Sequence, residues 1–424
     1  MLRPFESAPL PQQAPVLVVG AGLAGLSCAR HLQAAGVKVH VIEAADDVGG
    51  RVRTDDVRGF RLDRGFQVLL TAYDAVWQLV DRSGLDVHAF EPGSLIHFNG
   101  QLHELGDPFR RPAAALASLR APVGSLSDKM KVASLRRRLL AMSAEACFSG
   151  PERTTLEELR AEGFTDGFID TFFRGFLGGV FLDRELRAPA GLFRYLFRCF
   201  AEGDAVIPRG GMGQLSAHIA LPLAGRITLS APVADVRPDG VTLADGSTVS
   251  AGRVVVAADG AAAATLLGEP APAFNATVTA WFAAPKPPSS RRMLVLDGDG
   301  TGPVNHLAVT SSIAPELAPA GSALIAASGV NETAEHPSAF ATEARSQLHR
   351  WFGPQVEQWE HLQTHHIPHA LPQLGPGSIT RPQQAIREDG VAVAGDFRDY
   401  GAIQGAIVSG RRVAEAVLAA ASQP

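Results

Sequence analysis

Cysteine is scarce. Cys28, Cys147 and Cys199 stand far apart in 424 residues, and no CxxC pair occurs. That excludes a disulfide framework and fits a reducing compartment. Charge is thin as well: 19% of residues are charged, for a formal net charge of −5. With 46% hydrophobic residues the chain can fill a sizeable core, and disorder is not expected. The slight acidic balance gives no bulk attraction to nucleic acid. Lysine is nearly absent, at positions 38, 129, 131 and 286 only. No run reaches the roughly 18 apolar residues that a membrane-spanning helix needs. The opening MLRPFESAPLPQQAP holds no continuous apolar segment, so no signal peptide is expected and the protein reads as cytoplasmic.

Glycine, by contrast, is placed with care. Residues 15–20, PVLVVG, form an apolar β-branched run that predicts a buried strand. Helical spacing follows over 23–35 and stops at Gly36, and 37–42, VKVHVI, predicts a second strand closed by Glu43. Within this strand–helix–strand unit the glycines fall at Gly20, Gly22 and Gly25. The first permits a tight turn, the second lets backbone approach a pyrophosphate, and the third lets helix and strand pack closely. Leu23 and Ala24 open the helix, whose free N–H groups and positive dipole end face the phosphates. Glu43 comes eighteen residues after Gly25, placed to accept from ribose hydroxyls. These features predict dinucleotide binding, and alone they serve NAD and FAD alike.

Further along, residues 1–14 read as a loose arm and 74–204 as largely helical. Residues 226–258 read as strands with turns at 238–240 and 245–246. The stretch 275–370 mixes strands with a helix near 337–352. A strand at 391–395 and a helix at 403–421 close the chain.

Glu43 and Ala44 lead directly to Gly49-Gly50-Arg51. Here the sequence resembles the flavin-containing amine oxidoreductase superfamily, which includes monoamine and polyamine oxidases, protoporphyrinogen oxidase and phytoene-type desaturases. The resemblance implies FAD, with Arg51 adding a cationic contact, and because no cysteine follows Cys199 the cofactor is expected to be held non-covalently. It extends to Asp63-Arg64-Gly65-Phe66-Gln67, whose Gly65, Phe66 and Gln67 would pass near the isoalloxazine ring. It includes 208–213, PRGGMG, and Val233, whose backbone would read the adenine edge. At the far end, Gly395-Asp396 would offer a carboxylate to a ribityl hydroxyl. Ala402, Ile403 and Gln404 would bring a helix N-terminus to the N1/O2 edge of the flavin. The fold implied is α/β: a discontinuous Rossmann-like FAD-binding domain (15–73, 205–265 and 375–424) with an inserted α+β substrate-binding domain (74–204 and 266–374).

Two departures from the amine oxidases bear on function. Their tyrosine before the C-terminal Gly-Ala would fall at Ala402, with Tyr400 out of register. Their strand lysine has no counterpart in 277–282, TVTAWF, and Lys286 reads as a surface residue beyond it. No second GxGxxG occurs, so electrons are expected from the organic substrate itself. The expected activity is carbon–carbon dehydrogenation of a small hydrophobic molecule, as in the desaturase and protoporphyrinogen oxidase branch. Amine oxidation and a non-catalytic flavoprotein stand as alternatives. No side-chain base is identified, and the flavin carries the hydride step. Nine phenylalanines between 164 and 200 read first as helical core and second as the wall of an apolar tunnel. Lys129 to Arg138 reads as a solvated helix face, with membrane contact as the alternative. His361, His365, His366 and His369 lie among prolines that favour extended chain, so no metal site is expected. Oligomeric state is left open.

Overall fold

The computed structural model describes residues 5–331, 337–379 and 383–421. Two seven-stranded sheets organise them. The first is built on Gln13–Val19, which pairs in parallel with Val39–Ile42 on one side and Thr248–Val256 on the other. Val39–Ile42 pairs with Ile227–Thr228, and Thr248–Val256 pairs in parallel with Ala392–Val393. An antiparallel hairpin, Val233–Arg237 and Gly240–Leu243, completes the sheet. Alternation along the first strand divides two cores. Val16 and Val18 lie beneath the helices, while Leu17 and Val19 join Val241 and Val249 on the opposite face. Helices Leu23–Ala34 and Ile403–Ala421 cover the first face in close contact. A Cβ at Gly410 would stand 2.1 Å from the Ala24 carbonyl oxygen, and Ser27 Oγ donates to Ile407 O at 2.7 Å.

The second sheet runs Glu360–Pro372, Phe274–Ala284, Ala323–Val330, His306–Val309, Leu294–Asp297, Gly93–Phe98, Gln101–Gly106. It is antiparallel except where Leu294–Asp297 meets Gly93–Phe98. Helix Pro337–Phe352 covers one face, setting Phe340, Leu348 and Trp351 against Val278, Phe282 and Ile325. Helices between Ala115–Arg120 and Ala190–Glu202 pack on the second sheet, where a Cβ at Gly175 would stand 3.2 Å from the Asp297 carbonyl oxygen.

One expectation needs a qualification and another a correction. Residues 74–204 are not helical throughout, because 93–106 make a hairpin of the second sheet. Asn99 and Gly100 turn it with φ of 51° and 74°, the left-handed pair that a tight two-residue turn requires. Nor is the arm before residue 15 loose where it is described. The strand begins at Gln13, Ala8 is buried, and the Ala8 N–H donates to Ile227 O at 2.7 Å. Residues 1–4 of that arm lie outside the described residues.

Candidate cofactor and substrate site

The first glycine motif sits between the two central strands. Gly20 has φ of 107°, and a Cβ there would stand 2.6 Å from the Ala257 carbonyl oxygen. A Cβ at Gly25 would stand 2.0 Å from the Gly20 carbonyl oxygen, so its role is close packing. Gly22 differs: a Cβ there would meet nothing within 4 Å, so its backbone opens onto free space. Gly22 also caps helix Leu23–Ala34 with no side-chain hydrogen bond and no acid in the first turn. The first N–H groups are thus available to an anion. Gly49 and Gly50 pack directly on this turn, Gly49 N–H donating to Ala21 O at 2.8 Å. Glu43 is held rigidly: Oε2 accepts from Ala21 N–H at 2.6 Å and Oε1 from Ala45 N–H at 2.8 Å. Each oxygen keeps a lone pair for a hydroxyl donor.

Arg51 joins the two ends of the chain. Its Nη2 pairs with Asp396 Oδ1 at 2.7 Å, and its Nη1 donates to Ala370 O at 2.6 Å. Gln67 Nε2 donates to Arg51 O at 2.9 Å, while Gln67 Oε1 is buried with no partner among the described residues. Gly65 faces the second sheet, where a Cβ would come within 3.7 Å of Ile367 and Thr277. Thr277 is what strand Phe274–Ala284 contributes here, and its hydroxyl is already committed to Gly329 O at 2.9 Å.

One cavity of about 1310 Å³ unites these parts. Gly20, Gly22, Leu23, Ala24, Glu43, Ala44, Gly49, Gly50 and Arg51 line it. So do Gly65, Phe66, Gln67, Val233, Gly395, Asp396, Ala402 and Ile403. Gly25 and Gln404 do not. Gln404 is buried, and it binds the Ala75 N–H and the Asp74 carboxylate at the neighbouring helix, Asp74–Leu79. The cavity exceeds the roughly 300–1,000 Å³ of an ordinary small-ligand site. A glycine-lined, acid-tipped end fits a dinucleotide and leaves a second chamber beyond.

That chamber is apolar. Phe168, Phe172, Phe176, Phe197 and Phe200 line it, whereas Phe164, Phe173, Phe181 and Phe193 are buried in the core. The phenylalanine-rich stretch is therefore divided between the two readings. Tyr400 packs on Phe148 and Tyr195 and does not line the cavity. Lys286 is exposed. His306 was not legible as a site residue, being a lone histidine in a short strand, yet it lines the chamber beside Phe66 at a ring distance of 5.3 Å. Burial pushes its imidazole down to about 4, so it is neutral at physiological pH. Asn305 sets its tautomer: Oδ1 accepts from Arg184 and Nδ2 donates to Gly175 O, each at 2.9 Å. Nδ2 thereby faces His306 Nδ1 at 3.1 Å as a donor, which leaves the ring proton on Nε2. The histidines at 361–369 lie in strand Glu360–Pro372, and among the described residues no group of three or more His, Cys, Asp or Glu is placed to hold a metal.

Comparison with known proteins adds a family. The model of a family described as flavin containing amine oxidoreductase matches residues 23–418. A phytoene dehydrogenase of Streptomyces griseus is 54% identical over 54 residues, 13% of this chain and 11% of that protein. A putrescine oxidase of Kocuria rosea is 47% identical over 73 residues, 17% of this chain and 15% of that protein. These matches thus span only a small part of the curated relatives. A solved putrescine oxidase with putrescine bound shares the fold at a TM-score of 0.72 and 20% identity, covering 96% of this chain and 99% of its own.

Proposed function

The chain belongs to the flavin containing amine oxidoreductase family, and from that premise we propose that it uses non-covalent FAD to dehydrogenate a hydrophobic substrate at carbon. The observation that carries this reading is the chamber beyond Gly65: five phenylalanines line it, the Thr277 hydroxyl donates to Gly329 O, and strand Phe274–Ala284 places no lysine beside Gly65. A cationic amine held against those rings would lose its hydration, which costs several kcal/mol in an apolar site, and the carboxylates Glu91, Asp107 and Asp204 that line the cavity are already paired with Arg111, Arg136 and Arg110. An apolar chain or ring system pays no such penalty. Non-covalent attachment is supported by the cysteines, since Cys28, Cys147 and Cys199 are all buried and none lines the cavity.

When bound, the flavin supplies the hydride acceptor. The chain supplies the rest. Gly22 and the Leu23–Ala34 N-terminus would hold the pyrophosphate, Glu43 the ribose, and Asp396, oriented by Arg51, the ribityl chain. The N-terminus of Ile403–Ala421 would sit near the ring, favouring negative charge there. The phenylalanines exclude water and press the substrate toward Gly65. His306 Nε2–H offers one neutral donor with which to orient a polar group of the substrate.

The test is anaerobic. The purified yellow protein is mixed separately with panels of amines, isoprenoids and tetrapyrroles, and the visible flavin band is followed. Bleaching by an isoprenoid or tetrapyrrole is expected. Bleaching by amines alone would overturn the reading in favour of amine oxidation, and a preparation that takes up no FAD would overturn it altogether.

A further inference from the structure

Six large hydrophobic side chains are conspicuously exposed among the described residues, and five of them fall between positions 109 and 130. Phe109 is 56% exposed, Leu116 56%, Leu119 54%, Leu126 61% and Met130 66%. Leu116 and Leu119 are three apart on helix Ala115–Arg120, and Leu126 and Met130 are four apart on helix Leu126–Leu140, so each pair shares a face. The two helices are pinned together by Lys129, whose Nζ donates to Ala121 O at 2.7 Å and Leu119 O at 3.2 Å. The Arg136 guanidinium lies 4.7 Å over the Phe109 ring. Phe109, Leu119, Leu126 and Met130 also line the cavity, so the patch is the rim of its apolar end.

The segment that carries this rim is basic, and although Arg110, Arg111, Arg136 and Arg138 are paired with Asp204, Glu91, Asp107 and Glu162, other cations are left over. Residues 109–138 hold eight arginines and lysines against one acid, while the remaining residues hold 30 basic and 42 acidic. That one acid, Asp128, is buried, where it accepts from the N–H groups of Ser125 and Thr165. Arg120 and Arg137 are exposed, with no hydrogen-bond or ion-pair partner among the described residues. Arg137 follows Met130 by seven positions and so shares its helix face.

We infer that this rim docks on an anionic lipid surface. Clustered apolar side chains enter the headgroup region while interleaved cations meet negative headgroups, a combination that binds lipid in proportion to both. The charge chooses the occupant: the unpaired cations of the rim attract an anionic sheet, whereas a second copy docked rim to rim would bring the same positive charges against them. The position gives docking a use, because an apolar solute would pass from bilayer to cavity without crossing water. The inference does not depend on which bond is oxidised.

Vesicle flotation with the full-length, flavin-loaded protein tests it. Vesicles of phosphatidylcholine mixed with phosphatidylglycerol should carry the protein upward, pure phosphatidylcholine should carry far less, and added salt should release it. Leu116→Asp with Met130→Asp, and separately Arg120→Glu with Arg137→Glu, should each weaken partitioning at least about tenfold. Leu221→Asp, at an exposed leucine remote in sequence (51% exposed), should not. Flavin content and melting temperature identify any variant that fails to fold, and the charge-reversal pair, lying on exposed unpartnered side chains, keeps the test open if the apolar pair does. Wild-type protein that stays down with anionic vesicles overturns the inference. So does a folded variant pair that floats like wild type, or self-association abolished by the same substitutions in the absence of lipid binding.

Discussion

Arg51 and Asp396 are 345 residues apart in the chain and 2.7 Å apart in space. The carboxylate is the more buried partner, with 5% of its side chain exposed against 30% for the arginine. Removing the arginine leaves that carboxylate without a counter-charge. Arg51→Met should therefore destabilise the protein by about 1–3 kcal/mol, less than a fully buried pair would lose because the guanidinium is partly solvated. Asp396→Asn should cost less, since the amide oxygen still accepts from Arg51. Denaturant unfolding of the apoprotein measures both, and flavin retained through gel filtration should fall in the first. The spacing of Glu43 from Gly25 made that acid legible from sequence, because a strand and a helix fix the distance. His306 was not legible, because what distinguishes it is the Asn305 amide beside it, and that orientation is set by Arg184, 121 positions upstream.

Among elements, the crossing of Leu23–Ala34 and Ile403–Ala421 leaves least room for change. Gly410→Leu would drive a side chain into the Ala24 carbonyl, forcing the helices apart. A loss of about 1–3 kcal/mol is expected from overpacking. Because both helices begin at the cavity, flavin content should drop along with the melting temperature; a variant that melts early yet keeps its flavin would uncouple the crossing from the site. Elements with strong local signals were readable: the β-branched run before Gly20, the turns at 238–240 and 245–246, the last helix. The hairpin at 93–106 also carried its signal in Asn99-Gly100, but its strands hold histidine and glutamate among few β-branched residues, and the helical character of its surroundings masked it. The phenylalanines of 164–200 could not be sorted by spacing alone, since the same apolar face meets a packed core at Phe173 and a cavity at Phe176.

For the whole molecule, stability should carry an acid–base signature from Asp63. Burial pushes its carboxyl up to about 7, against hydrogen bonds from Thr54 and Met212 that favour the anion. The unfolded chain releases this proton near the model-peptide value of 3.8, so between about 4 and 7 the folded state holds the extra proton and stability falls as pH rises. His306 acts in the opposite sense, because its unfolded form takes up a proton below 6.5 that the folded form refuses until about 4. The comparison that isolates Asp63 is Asp63→Asn against wild type: the variant's melting temperature should gain steadily on wild type from about pH 4 to 7 and level off above. A difference that stays flat across that window would place the Asp63 pKa near its ordinary value. At this scale the sequence announced strands in three separated stretches, and it was silent on the second sheet's order, which depends on pairings up to hundreds of positions apart. The chain order of the first sheet's strands has a biosynthetic consequence. Strand Gln13–Val19 has its central neighbour in Thr248–Val256, and the sheet gains Ala392–Val393 later still. At ribosomal speeds of about 5–20 residues per second, the first glycine turn emerges on the order of tens of seconds before the strand that will brace it. The nascent chain therefore carries an open, apolar strand edge through most of its translation, and cofactor capture is an event of the finished polypeptide.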